Sequence, residues 1–503
     1  MSQLKAGAVL NYVIIVLNTI VGLAYTPYML RCLGQNEYGL YSLVASVIGY
    51  LTILDFGFAN AIIRYTAKYR AEGKKREQWE LFGMFLIVYL VIGFLAFCGG
   101  LALYFNVDML FDRTMSASDL SQARIMMLLL TVNLVFTFPL SVFTAIVTAY
   151  ERFVFPRVIS ILRILLTTAV MIVLLAYGFK AVALVVVTTI FNLSTLFLNY
   201  VYCKKKLRIK IKFTGIDWGI LKEISKYSFW IFLNAIMDKI YWSTGQFVLG
   251  TISGTVAVAI FSVAILLEQM YMQFSISIAS VLLPRLTSMV ALKASYKEIS
   301  DIFIRTGRLQ CYVMAFILAG FIIFGKGFIF IWAGADYSES YIITLIFFVA
   351  LFVPLIQNTG ISILQARNQL AFRATLYVII AFISLGCQIW WAHTWGAIGC
   401  AAAIGGALVV GTGIVMNIYY YTHQHIDIPK FWREMTGILL VTLLFTIAGV
   451  WSCRWFDYRH VPTLIGGIAV FSLTYMPVLW FTCMNDYERG LIKAPLKKIL
   501  RRL

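Results

Sequence analysis

Six ionisable side chains stand inside long apolar runs of this 503-residue sequence: Asp55, Arg163, Asp238, Lys239, Glu268 and Lys326. A charge near the centre of a hydrocarbon layer costs at least about 2.5–3.5 kcal/mol, so such residues are expected to face a wet cavity or a partner. Asp238 and Glu268 sit nearest the middles of their runs. Asn234, Asp238, Trp242 and Gln246 recur every four residues, which makes one stripe on a helix. Asn11, Asn18, Gly22 and Tyr25 form a similar stripe near the start, and Glu268, Tyr271, Met272 and Ser275 a third. Amides, aromatic rings and a few charges on apolar helices point to a cavity for a polar cargo. The plainer alternative is hydrogen bonding between helices, with Lys239 neutralising Glu268. Arg31 and Arg64 lie near run ends, where they can snorkel to the interface. The candidate cavity residues are Asn18, Tyr25, Asp55, Arg64, Arg163, Asn234, Asp238, Lys239, Trp242, Gln246, Glu268 and Tyr271.

Other chemistry finds little support. The sequence has no GxxxxGK[ST], GxSxG or HExxH motif, so no catalytic residue, metal site or cofactor is assigned. His423 and His425 read as surface residues at a helix end. The eight cysteines make no CxxC pair, and Cys98, Cys311, Cys387, Cys400 and Cys483 read as small buried hydrophobes. Asp108, Asp112 and Asp119 share the longest outer loop, about 106–123, and read as solvated.

These side chains need helices to hold them in a membrane. The chain is 61% apolar and 13% charged, against roughly half and a quarter in a soluble domain. A globule could not hide that much apolar surface from water. Runs of about 20 apolar residues suffice to span the hydrocarbon core. They fall near 8–30, 38–63, 81–105, 124–149, 158–177, 181–203, 227–249, 255–283, 309–332, 341–364, 374–392, 396–421, 435–452 and 461–484, which predicts fourteen spans. The first is too long for a signal-peptide core and reads as a retained anchor.

Charge tests that count. With a cytoplasmic N-terminus, 32 of the 41 lysines and arginines fall in inside segments and five outside, as the positive-inside rule predicts. Both termini are then cytoplasmic. The net charge of +19 faces anionic membrane lipids and calls for no nucleic acid. Residues 485–503 read as a basic amphipathic tail.

Repetition divides the chain. A shift of 220 residues lays Gly34 on Gly254, Leu40 on Ile260 and Ser42 on Ser262; a shift of 215 lays Pro139 on Pro354, Thr144 on Thr359 and Arg152 on Arg367. This predicts an all-α membrane protein of two six-helix lobes in parallel repeat. The lobes are 1–203 and 227–421, joined by a basic linker, 204–226, and followed by an extra pair of spans within 422–484.

The stretch LGQNEYGLYSLVASVIGYLTILDFGFANAIIRYTAKY, residues 33–69, resembles the opening of polysaccharide-transport proteins in the multidrug/oligosaccharidyl-lipid/polysaccharide (MOP) exporter superfamily. AYERFVFPRVISILRILL at 149–166, AVAIFSVA at 257–264, LLPRL at 282–286 and QNTGISILQARNQLAFRA at 357–374 resemble that group's later segments in the same order. The resemblance implies a Wzx-type flippase for O-antigen, capsule or exopolysaccharide, carrying undecaprenyl-diphosphate-linked oligosaccharide across a bacterial inner membrane. It further implies two bundles alternating access around a cavity, a lipid-tail groove at the last two spans, and partners among polymerase and chain-length machinery. A proton or Na+ gradient is the expected drive, with Asp55, Asp238 or Glu268 as the ion-binding group. Asp238 and Glu268 depart from a purely cationic cavity. Alternatives are a multidrug/cation antiporter, a lipid II or teichoic-acid precursor flippase, and a membrane polymerase or ligase.

Overall fold

The computed structural model describes residues 3–213, 217–280, 282–367, 369–491 and 493. Among them every regular element is a helix. Hydrocarbon offers backbone groups no hydrogen bonds, so a spanning chain must satisfy them within itself, and a helix does so locally. Among the described residues ten helices are long and apolar enough to cross a membrane, eleven if the bent pair Ser340–Ile356 and Thr359–Ala366 is one span. The expected fourteen is not reached on that measure. Two of the ten, however, run 63 and 52 residues (Val9–Ala71 and Ala371–Thr422), two to three times what one crossing needs. Each holds a left-handed glycine, Gly34 (φ 74°) or Gly396 (φ 54°), where the helix kinks.

The chain packs as two compact units: residues 1–262 with 389–397, and residues 263–388 with 398–503. The first holds α1 (Gln3–Leu51), α2 (Phe58–Ala71), α3 (Lys75–Phe105), α4 (Val107–Phe111), α5 (Ala117–Ala149), α6 (Val154–Ala176), α7 (Ala181–Lys205), α8 (Trp218–Trp242) and α9 (Thr244–Ile252). Helices α2, α3 and α5 close around Ile62, Phe82, Phe85, Tyr89, Val142 and Ile146. The basic linker joins this core in part. Leu207, Ile209 and Ile211 pack on it while Arg208 and Lys210 face out, the period-2 pattern of an extended segment. The amide of Lys212 donates to Trp79 O (3.1 Å), and Gly83 lets the Lys212 carbonyl approach where a Cβ would collide.

Helix α10 (Thr255–Ser280) begins in the first unit and ends in the second. There follow α11 (Leu283–Ala291), α12 (Tyr296–Trp332), α13 (Ser340–Ile356), α14 (Thr359–Ala366), α15 (Ala371–Leu408), α16 (Met416–Thr422), α17 (Ile428–Ser452) and α18 (Val461–Thr482). Helix α12 starts at a capping box, Ser295 with Glu298, and packs against α13, α17 and α18.

Arg308 is buried three turns into α12. Its Nε donates to Glu488 Oε1 (2.6 Å), Nη1 to Glu434 Oε2 (3.0 Å), and Nη2 to Tyr312 Oη (2.9 Å) and Cys483 O (2.7 Å). The guanidinium thus ties α12 to α17 and to the turn beyond α18. That turn opens the basic tail, most of which lies outside the described residues. Removing one partner of a buried pair strands the other charge. Arg308→Met is therefore expected to lower stability by about 3–5 kcal/mol. Glu434→Gln, at a more exposed carboxylate, should cost within about 1 kcal/mol. Thermal unfolding of the detergent-purified protein reads both.

Candidate functional site

Polarity inside the first unit gathers in two places. The first is the break after α1. Thr52–Asp55 form a 3-10 turn, and Phe56 (φ 50°) and Gly57 (φ 70°) are left-handed before α2 resumes. A break frees backbone groups and turns side chains off the helical register. Asp55 sits in it, half-buried, and its Oδ1 accepts from Tyr89 Oη at 2.7 Å. Phe56 stacks on Phe232 of α8 with centroids 4.5 Å apart.

Helix α8 brings Asp238, which is exposed, and Lys239, half-buried, whose ammonium lies against Gly49 of α1. Tyr50 and Thr244 share a hydrogen bond one residue further along, and Thr244 also donates to Lys239 O (3.4 Å). The stripe expected from Asn234 to Gln246 does not run on one helix. The chain breaks at Ser243, so Asn234, Asp238 and Trp242 belong to α8, whereas Gln246 belongs to α9 and donates to Ser262 Oγ at 2.8 Å. A four-residue period cannot reveal such a break, because Ser243 is an ordinary helix residue in sequence.

The second place lies between α5, α6 and α7. Arg163 Nη1 donates to Asn192 Oδ1 (3.2 Å), and Asn192 Nδ2 donates to Asn133 Oδ1 (2.8 Å) and Thr137 Oγ1 (3.0 Å). Asn133, Thr137 and Asn192 were not singled out from the sequence; an amide in an apolar run signals its partner only once helices are paired. On α1, Asn18 is exposed, and the Tyr25 hydroxyl is buried with no hydrogen-bond partner among the described residues. Arg64 is exposed midway along α2, not at its end.

The second unit holds Glu268, wholly buried, with neither carboxylate oxygen hydrogen-bonded among the described residues. Tyr271, one turn on, does not line an open space. Its ring stacks on Phe348 (4.2 Å) and its hydroxyl donates to Met314 O (3.1 Å). Ser275 donates to Leu355 O (2.6 Å) and accepts from Gln310 (3.1 Å). An apolar cavity of about 480 Å³ opens where α17 and α18 meet α12. Ile323, Phe324, Phe445, Val470 and Phe471 wall it, with Thr463 and Gly466 among the α18 residues.

Of the loop aspartates Asp112 is exposed, while Asp119 and Asp108 have partners. Asp119 is buried, completes the capping box of α5 with Ser116, and accepts from Asn36 Nδ2 at 2.9 Å. Asp108 pairs with Arg124. They are anchors of the helix end. Of the five cysteines expected to be buried, Cys311 and Cys400 are, Cys387 and Cys483 are half-buried, and Cys98 is exposed.

Tyr89→Phe removes the donor to Asp55 and adds no bulk. It is expected to cost about 1–3 kcal/mol of stability, the usual loss for a hydrogen bond to a carboxylate, as read by thermal unfolding.

Comparison with known proteins gives the family. A family model described as "Polysaccharide biosynthesis protein" matches residues 4–290, more than half of the chain. No curated protein matches it. Among solved structures, the lipid II flippase MurJ in an inward closed conformation is similar at TM-score 0.70 and 15% identity, over 94% of this chain and 99% of that one. An inward-facing multidrug resistance MATE family transporter of the MOP superfamily is similar at TM-score 0.62 and 15% identity, over 82% and 99%. The eukaryotic MATE transporter AtDTX14 is similar at TM-score 0.56 and 14% identity, over 86% and 99%. At such identities the likeness is one of fold. The chain is a multi-pass membrane protein with the fold of the MOP-superfamily transporters, and it belongs to the polysaccharide biosynthesis protein family.

Proposed function

We propose that this protein is a flippase, not an enzyme, that moves an undecaprenyl-diphosphate-linked oligosaccharide from the inner to the outer leaflet of a bacterial inner membrane for O-antigen, capsule or exopolysaccharide synthesis. In this reading 1–203 and 227–421 act as the two lobes of an alternating-access carrier, both termini are cytoplasmic, and polymerase and chain-length proteins receive the product. The observation that carries it is the apolar cavity at α12, α17 and α18. An apolar cleft does nothing for a small soluble cation but suits part of a hydrocarbon tail. A cargo whose head is polar and whose tail is hydrocarbon needs both kinds of surface. The sugar and diphosphate cannot cross hydrocarbon unaided, while the tail stays among apolar side chains. Shifting between two states of a protein that holds the head group completes the transfer.

The drive is a proton or Na+ gradient. Supporting this, Glu268 is a carboxyl sealed from water with no donor around it among the described residues. A sealed carboxylate is costly unless a proton or a cation shares its site. Asp55, at a helix break, and Asp238, exposed on α8, are the other two groups able to take an ion.

Two measurements in proteoliposomes with a lipid-linked oligosaccharide test the reading. Asp55→Asn, Asp238→Asn and Glu268→Gln should include at least one loss of flipping of about tenfold or more. Three mild phenotypes contradict ion coupling. Gly466 borders the cavity with nothing within 4 Å of where its Cβ would stand. Gly466→Trp should fill the cleft and slow flipping several-fold while thermal stability stays within about 1 kcal/mol of wild type. Unchanged flipping removes the cavity from the path of the tail.

A further inference from the structure

Arg163 stands ten residues into the 23-residue α6, about 14 Å from its start and so near mid-helix. Its charge is permanent, because a guanidinium does not give up its proton in a protein. Among the described residues no carboxylate lies within ion-pair distance of it. The other intramembrane cations differ: Lys239 follows Asp238 directly in sequence, and Lys326 lies 5.5 Å over the Tyr341 ring. A cation at this depth without a counter-charge is expected to meet a mobile one.

The neighbours of Arg163 are arranged to aim it. Asn192 uses both amide hydrogens, on Asn133 Oδ1 and Thr137 Oγ1, which fixes which end of its amide is oxygen. Thr137 donates in turn to Asn133 Oδ1 (3.2 Å), closing a three-membered ring of side chains from α5 and α7. The Asn192 oxygen is left to accept from one guanidinium N–H. An arginine has five N–H donors in a planar fork, and four of them have no acceptor among the described residues. One turn along α6, the Thr167 hydroxyl is buried with no hydrogen-bond partner among the described residues. The cluster is therefore a held guanidinium with spare parallel donors, a spare hydroxyl nearby and no acid.

We propose that Arg163, aimed by the Asn192–Asn133–Thr137 ring, is a binding site within the first unit for the oxyanion of a phosphate ester. Parallel N–H donors match two phosphate oxygens, a fit that a point charge such as lysine lacks. Two sources carry that chemistry: the diphosphate of a prenyl-linked cargo, and the headgroup of a bilayer phospholipid. The depth of Arg163 favours a head group in transit, since resident phosphates stay at the interface some 15 Å away. Only the choice of cargo rests on the flippase reading; the anion site stands on the geometry of α5, α6 and α7.

The test is equilibrium binding to the full-length protein in phosphate-free maltoside micelles, followed by tryptophan fluorescence. The probes are farnesyl diphosphate, phosphatidylglycerol and, as the control without phosphate, farnesol. Arg163→Gln should weaken farnesyl diphosphate by about tenfold or more and leave farnesol unchanged. Asn192→Leu, a change at a positioning residue, should lose part of that selectivity with the charge intact. Arg163→Lys should do the same, and these two variants carry the test if Arg163→Gln does not give monodisperse protein. Competition by phosphatidylglycerol assigns the site to lipid headgroups; its failure to compete assigns it to the diphosphate. Wild-type-like binding of farnesyl diphosphate by the variants overturns the proposal. Because no transport is measured, a protein that binds but does not flip refutes the flippase reading and leaves the site standing.

Discussion

Hydrocarbon cannot hydrogen-bond, and the rest of this structure depends on that fact. It requires each spanning segment to satisfy its own backbone, which is why the described regular elements are all helices. It also makes every departure from a helix expensive, so the breaks are few and placed. Among the described residues they include Gly34 and Gly396, the turn carrying Asp55, Ser243, the bend between Ile356 and Thr359, and the π-helical stretch Val409–Val415. Two of these breaks bring polar groups into view: Asp55 meets Tyr89, and past Ser243 Thr244 meets Tyr50.

The same constraint sorts the charges. Where a charge is structural, it is matched. Arg308 is neutralised by Glu488 and Glu434 and donates to six oxygens on four residues, so it works as a tie among α12, α17 and the start of the tail. Asp119 is likewise spent on capping α5 and on Asn36. Arg163 and Glu268 are different. Each is held within a unit without a counter-charge at ion-pair distance among the described residues. In a low-dielectric interior an unmatched charge is a liability that needs a ligand or a proton. What surrounds a charge, not its residue type, shows whether it is already matched.

Much of this was legible in the sequence, for physical reasons. The membrane class follows from composition, since no fold hides so much apolar surface from water. Asp55, Arg163 and Glu268 could be named because an ionisable residue in an apolar run is conspicuous wherever it lies. What could not be read was pairing. The ring that aims Arg163 joins α5 and α7 across 59 residues, and the Arg308 tie spans 180. Ser243 interrupts a stripe that looked continuous, and Tyr271 turned out to be stacked on Phe348. Asp119 looked like a loop residue because its acceptor role is set by Asn36, far away in sequence. Position along the chain told which residues are unusual; only packing told which were already satisfied.

We propose that the protein carries a polyprenyl-linked sugar across the bilayer. The most direct measurement is made on wild-type protein in sealed liposomes holding a defined undecaprenyl-diphosphate oligosaccharide. Exposure of the sugar to an external, membrane-impermeant glycosidase is followed with and without an imposed ion gradient. The account predicts that sugar initially protected on the inner leaflet becomes cleavable only in liposomes that contain the protein, and faster with the gradient. Equal protection with and without the protein would contradict it.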